Sequence, residues 1–199
     1  MIYHLGKDRM LCWDDFLIDQ IENAEIRMHK PVKREKVITL DKSWEGNVCG
    51  YPSIMKLGDI YRIYYRANNV NVLPDGTYEK RKVCFCVAES KDLKEFKRLP
   101  INKYEREGDF HNNIFLDEER DNFSVFYDKN PACPENEKFK ALSMGARNEI
   151  YGKGLYLYVS ADGFDFTLKE KLPISGTFDS YNVMFWDEDA QLYRFFYKY

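Results

Sequence analysis

Histidine is scarce in this chain, with three among 199 residues, and the five cysteines (Cys12, Cys49, Cys84, Cys86, Cys133) include no Cys-x-x-Cys pair. A structural zinc site needs four soft ligands at tight spacing, so the sequence gives no reason to expect a metal. An odd number of unevenly spaced cysteines reads as buried free thiols in a reducing cytoplasm. No apolar run approaches the ~20 residues that cross a bilayer, and the first residues lack a long apolar stretch behind a basic start. Neither a membrane span nor a secretory signal is therefore expected, and the expected location is cytoplasmic. Excess positive charge is missing too: 30 Lys and Arg stand against 33 Asp and Glu, for a net charge of −3. That excludes a nucleic-acid footprint spread over the whole chain. Long 3.6-residue apolar periods are absent as well, and only the stretch from Phe16 to Ala24 has room for a turn or two of helix.

What is abundant is aromatic: 15 Tyr, 14 Phe and 3 Trp. These residues fall in short runs bounded by turn formers. Ile60 to Tyr65, Val83 to Val87, Phe123 to Tyr127, Leu155 to Val159 and Tyr193 to Tyr197 are separated by Gly58-Asp59, Asp75-Gly76, Asp121-Asn122, Gly152-Lys153-Gly154 and Asp162-Gly163. Short β-branched and aromatic runs between such turns predict an antiparallel all-β fold.

The runs also repeat. An apolar strand, a turn and an aromatic strand begin at Ser53, again at Asn113 and again at Asn182, spaced by 60 and 69 residues. A second element recurs between them: Ser90-Lys91-Asp92-Leu93-Lys94-Glu95-Phe96 and Ser160-Ala161-Asp162-Gly163-Phe164-Asp165-Phe166, 70 residues apart. In both, a Ser and an Asp two apart are placed to cap turn amides, and the trailing Phe returns to the core. Four-stranded units at this period suggest propeller blades, with a plain β-sandwich as the alternative. At ~65 residues per unit the chain would carry about two and a half to three blades of an incomplete propeller. The expected division is a lead-in over 1–43, blade one over 44–108, blade two over 109–176 and the start of blade three over 177–199. Unclosed blade edges would favour self-association, and the chain is expected to be a fragment or half of a larger assembly.

The stretches Leu11-Cys12-Trp13-Asp14-Asp15-Phe16-Leu17-Ile18, Leu40 to Asn47, Ser90 to Phe96 and Phe178 to Asp187 resemble a group of bacterial five-bladed β-propeller proteins. That group is related to the β-fructosidase and arabinanase glycoside hydrolases. The resemblance runs from about Leu11 to Tyr199 and implies that this chain holds the amino-terminal blades. It further implies carboxylates converging on the propeller axis, one as acid and one as nucleophile or base. Where the family has a carboxylate directly before a Pro in blade one, this chain has Tyr51 before Pro52, and the nearest carboxylate is Glu45. Asp109 precedes Phe110-His111-Asn112-Asn113 at the matching place in blade two, and Asp179 stands near the expected acid of blade three. Asp179, Glu45 and Asp109 are thus the catalytic candidates the resemblance implies.

Trp44, Tyr51, Arg66, His111, Asn112 and Asn182 are the substrate-binding candidates. An indole beside a carboxylate suits a sugar face, Arg66 ends an aromatic strand, and His111 with Asn112 offers groups for hydroxyls. Each also has a structural reading: a core Trp, a satisfied ion pair, a turn cap. Asp14-Asp15 reads as a cap, because adjacent strand carboxylates point to opposite faces. The cationic run Lys30, Lys33, Arg34, Lys36 reads as a solvated face. No organic cofactor is implied; an axial calcium is allowed but not required. The expected partner is carbohydrate. The expected function is glycosidic bond cleavage by carboxylate acid/base chemistry, the alternative a non-catalytic carbohydrate-binding or assembly module.

Overall fold

The computed structural model describes Gly6 and residues 14–118, 122–144 and 154–199. Cys12, Leu11 to Trp13, Asp121 and Gly152-Lys153 lie outside the described residues. The chain divides into two compact units, Met1–Glu35 and Lys36–Tyr199. In the described part of the first unit there is no strand and no helix. The helical turn expected over 16–24 is not formed; the stretch holds isolated turns, with Asn23 at φ +54. Phe16, Leu17 and Ile21 are all exposed, so no apolar face is buried to stabilise a helix this short. Asp14 does act as a cap, accepting the Phe16 amide at 3.1 Å.

The second unit is all-β and its strands pair antiparallel throughout. The first sheet contains β1 (Gly50–Leu57), β2 (Ile60–Ala67), β5 (Cys84–Ser90) and β6 (Lys97–Arg98) in that order. A small hairpin, β3 (Val70–Val72) with β4 (Tyr78–Lys80), interrupts the β2 to β5 connection. The second sheet runs β8 (Phe123–Tyr127), β9 (Phe139–Met144), β10 (Leu155–Ser160) and β11 (Thr167–Lys171). A third, two-stranded sheet joins β12 (Val183–Asp187) to β13 (Leu192–Phe196). The five aromatic runs read from the sequence fall on strands, save Val83 and Tyr197 at their ends.

One pairing differs from expectation. The stretch beginning at Asn113 was predicted to open the second unit and to hairpin with the next strand. Instead β7 (Ile114–Leu116) pairs with β5 of the first sheet, Phe85 opposite Leu116 and Cys86 opposite Ile114. Burial explains the choice: Ile114, Phe115 and Leu116 are all buried, and Phe115 packs edge-on against Tyr64 with ring centres 5.1 Å apart. The first strands of the sheets, β1, β8 and β12, lie against one another in the order β1, β8, β12.

The Tyr and Phe content is spent between the first two sheets. Tyr64, Phe85 and Phe115 from one meet Phe123, Tyr158 and Phe166 from the other, with Phe123 and Phe166 perpendicular at 5.1 Å. Such ring pairs contribute about 0.5–1.5 kcal/mol each beyond their buried area. The two Ser-x-Asp turns match bond for bond. Ser90 Oγ accepts the amides of Asp92 (3.3 Å) and Leu93 (3.0 Å), and Ser160 Oγ those of Asp162 (3.3 Å) and Gly163 (2.9 Å). Asp92 Oδ1 then accepts Lys94 and Glu95, and Asp162 Oδ1 accepts Phe164 and Asp165. Both turns put their fourth residue in the left-handed region, Leu93 at φ +64 and Gly163 at +82. Leu93 faces solvent, whereas a Cβ on Gly163 would lie 2.4 Å from the Tyr64 hydroxyl, so only there is glycine required. Tyr64 donates to the Gly163 carbonyl at 3.0 Å, and burial pushes its phenol up to about 12.

Cys49, Cys84, Cys86 and Cys133 are free thiols. Among the described residues no helix is long and apolar enough to cross a membrane.

Candidate functional site

Each of the sequence-nominated carboxylates has partners of its own. Glu45 has no exposed surface. Its Oε1 accepts the Tyr65 hydroxyl (2.6 Å) and Arg98 Nε (2.8 Å); its Oε2 accepts Arg98 Nη2 (2.8 Å) and the Lys42 amide (2.9 Å). The cluster continues from Tyr65 to Asn113, whose Nδ2 donates to that hydroxyl at 2.8 Å, and from Asn113 to Trp44, whose indole N–H donates to Oδ1 at 2.8 Å. Gly46 makes the tight approach possible, since a Cβ there would meet the Asn68 carbonyl at 2.3 Å. Trp44 packs into the core around Tyr65, Cys84 and Phe96. Trp44 and Glu45 are therefore members of one satisfied internal network, the bidentate Arg98 fork being its strongest part.

Asp179 lies in solvent and accepts Lys198 Nζ at 2.8 Å, which holds its carboxyl below the usual carboxylate range by hydrogen bond and by charge. Asp109 is half-buried in a tight turn, its backbone paired with Arg106 and its Oδ1 accepting the His111 amide at 2.6 Å. His111 is exposed. Asn112 is buried, donates to the carbonyls of Tyr104 and Asp109 and accepts the Ile114 amide, so it fixes the approach to β7.

Tyr51 and Arg66 are brought together. Tyr51 sits in a bulge of β1, between Gly50 and Ser53, with φ +52. The Arg66 guanidinium lies 4.6 Å over its ring, and on the same ring Tyr181 stacks with centres 5.6 Å apart and planes 29° apart. Arg66 Nη1 reaches Asn122 Oδ1 at 3.5 Å, and Asn122 Nδ2 donates to the Ser180 carbonyl. Ser180 and Phe178 are also left-handed, at φ +76 and +51. Asn182, 2% exposed, donates to the Phe178 carbonyl at 3.0 Å and so holds that segment in shape. Three non-glycine residues with positive φ cost about 1–3 kcal/mol each and persist where surroundings over-determine them.

Below this platform Ser53 of β1, Ser124 of β8 and Tyr181 form a hydroxyl cluster. Ser53 Oγ and the Tyr181 hydroxyl are hydrogen-bonded, and the Val125 amide donates to Ser53 Oγ at 3.1 Å. Burial raises the Tyr181 phenol, and its hydrogen bonds to Ser53 and Ser124 only partly offset this. The phenol therefore stays protonated at neutral pH and offers a hydroxyl, not a base. From the cluster a groove of about 590 Å³ runs along β1, β8 and β12, lined among others by Met55, Lys56, Lys129 and Phe185. A volume of this size lies within the roughly 300–1,000 Å³ of small-molecule sites. Among its described lining residues there is no Asp, Glu or His. Among the described residues no group of three or more His, Cys, Asp or Glu side chains is arranged to hold a metal ion. The arrangement offers aromatic faces, hydroxyls and cations, with no paired acid and base.

Sequence reasoning nominated Tyr51 and Arg66 but not Ser53, Asn122, Ser124 and Tyr181, which surround them. A Ser or Tyr within a strand carries no distinctive spacing; their meeting depends on three sheets converging. Compared with models of known protein families and with curated proteins, the chain matches none.

Proposed function

We propose that this chain is a propeller-type module that binds carbohydrate without cleaving it. The observation that carries this reading is the Tyr51–Tyr181–Arg66 platform beside a hydroxyl-lined groove free of carboxylates among its described lining residues. Aromatic rings offer flat faces to the C–H surface of a sugar, while Ser and Tyr hydroxyls exchange hydrogen bonds with sugar hydroxyls. Glycosidic cleavage needs one carboxyl that keeps its proton and one that does not, flanking the scissile bond. Glu45 is sealed away and Asp179 is held ionised, so neither suits the acid role.

The side-by-side packing of β1, β8 and β12 supports blades arranged around an axis, with the first blade extended to Leu116 by β7. The partly exposed β13, paired among the described residues to β12 only, supports self-association through an open edge. Four free thiols support work in a reducing compartment.

Calorimetry against a panel of oligosaccharides, run beside a panel of aryl glycosides, tests the reading. The expected result is saccharide binding without turnover, weakened at least tenfold by Tyr51→Ala. Hydrolysis that disappears in Asp179→Asn would restore the glycosidase; binding to no saccharide would remove carbohydrate altogether.

A further inference from the structure

We infer that the saccharide taken by this groove is acidic, an oligosaccharide bearing uronate carboxylates. This rests on the carbohydrate-binding reading above and adds a charge requirement to it. Two lysines are among the residues lining the groove, Lys56 from β1 and Lys129 just past β8, and no described lining residue is acidic. The chain as a whole is net negative, at −3, so the positive lining runs against the overall charge. A groove lined by one sign of charge concentrates ligands of the other.

The two lysines are available. Lys56 is exposed and makes no ion pair among the described residues; its Nζ lies 5.7 Å from the centre of the Tyr61 ring. Lys129 pairs with Glu188 at 2.9 Å, both side chains more than half exposed, a contact that a ligand carboxylate can replace. Lys56 lies three residues along β1 from Ser53, about 10 Å at the usual strand rise and on the opposite face of the strand, so its ammonium meets a ligand at the rim of the groove and not beside the hydroxyls. A ligand that extends from the Ser53, Ser124 and Tyr181 hydroxyls to that rim brings its carboxylate to a lysine. Beside the groove, Arg66 holds a planar guanidinium over Tyr51. Lysine recognises a carboxylate as a point charge, so the attraction depends on ionic strength and little on the sugar's stereochemistry.

The test uses matched pairs: trimers of galacturonate, glucuronate and mannuronate, each against its methyl ester, titrated calorimetrically into the full chain. The pair members share sugar and linkage and differ in charge. The expected result is at least one acid trimer bound about tenfold more tightly than its ester in 20 mM salt. The preference should collapse in 0.5 M salt and fall severalfold in Lys56→Gln, an exposed position where folding is retained. Acid and ester bound equally, or a preference unchanged by Lys56→Gln and Lys129→Gln together, overturns the charge requirement and leaves the carbohydrate reading standing. No binding to any acid, ester or neutral trimer overturns both.

Discussion

Glu45 lies under the first sheet with both oxygens saturated, by a guanidinium fork, a phenol and a backbone amide. Asp179, in the approach to β12, stands in solvent with one lysine beside it. A carboxyl that transfers protons must reach its substrate and must titrate near the working pH. Glu45 fails the first condition and Asp179 the second, each for a reason visible in its partners. The Glu45 corner is part of the architecture: the network ties the loop before β1 to β2, β5, β6 and β7. The Asp179 corner is a surface pair whose loss rearranges nothing. A carboxylate nominated by sequence position alone can fall at either extreme.

The widest gap between the two corners should appear in stability. Glu45→Gln leaves the Arg98 fork without its charge partner and replaces an acceptor oxygen by a donor facing Tyr65 or Lys42. Breaking a buried pair from one side costs about 3–5 kcal/mol, reduced here because the Arg98 side chain is 21% exposed. A loss of about 3 kcal/mol in urea unfolding is expected, and the double change Glu45→Leu with Arg98→Met should recover much of it. A loss under about 0.5 kcal/mol would mean that the network does not anchor the sheet.

Asp128 sharpens the comparison, because it repeats the Glu45 arrangement in the second sheet. It is fully buried, accepts Lys140 Nζ and the Tyr193 hydroxyl (2.7 Å) on Oδ2, and accepts the Asn130 amide (2.9 Å) on Oδ1. Burial works to raise its carboxyl, but Lys140, Asn130 and Tyr193 outweigh burial and hold it below the ordinary value. A group with a depressed folded value stabilises the protein above its unfolded pKa, near 4, and that contribution vanishes as pH falls through the folded value. Asp128→Asn should therefore cost about 2 kcal/mol at pH 7, and progressively less below about pH 4. Thermal unfolding of both proteins from pH 7 to pH 2.5 measures the difference. A gap that stays constant across that range would show that the charge contributes nothing.

What could be read from the sequence is what local chemistry decides. The Ser90 and Ser160 turns were legible because side-chain oxygens bond to amides two and three residues on, within the motif itself. The strands were legible from aromatic and β-branched runs. The partner of β7 was not, because apolar strand, turn and aromatic strand look alike whether the two strands pair or part. That choice is made by Phe115 against Tyr64, some fifty positions away. The site divides in the same way. Tyr51 and Arg66 stand out by type, whereas Ser53, Ser124 and Tyr181 gain meaning only where β1, β8 and the approach to β12 meet. Trp44 and Glu45, adjacent and chemically suggestive, were claimed by Asn113 and Arg98, residues 69 and 53 positions away.

The smallest effect belongs to Asp179→Asn. Among the described residues its one ion pair is with Lys198, and both side chains are more than half exposed. Water solvates either partner as well as they solvate each other, so the melting temperature should be indistinguishable from that of the parent. Saccharide affinity should not change either, since Asp179 is absent from the groove lining. The lysine beside it lowers its pKa, so the carboxyl is already ionised throughout the neutral range and has no proton to give. The asparagine amide keeps the size and the hydrogen-bonding capacity of the side chain and removes only the charge. An altered binding constant, or a pH profile that moves with the substitution, would place Asp179 in contact with ligand and make the solvent-facing corner the functional one.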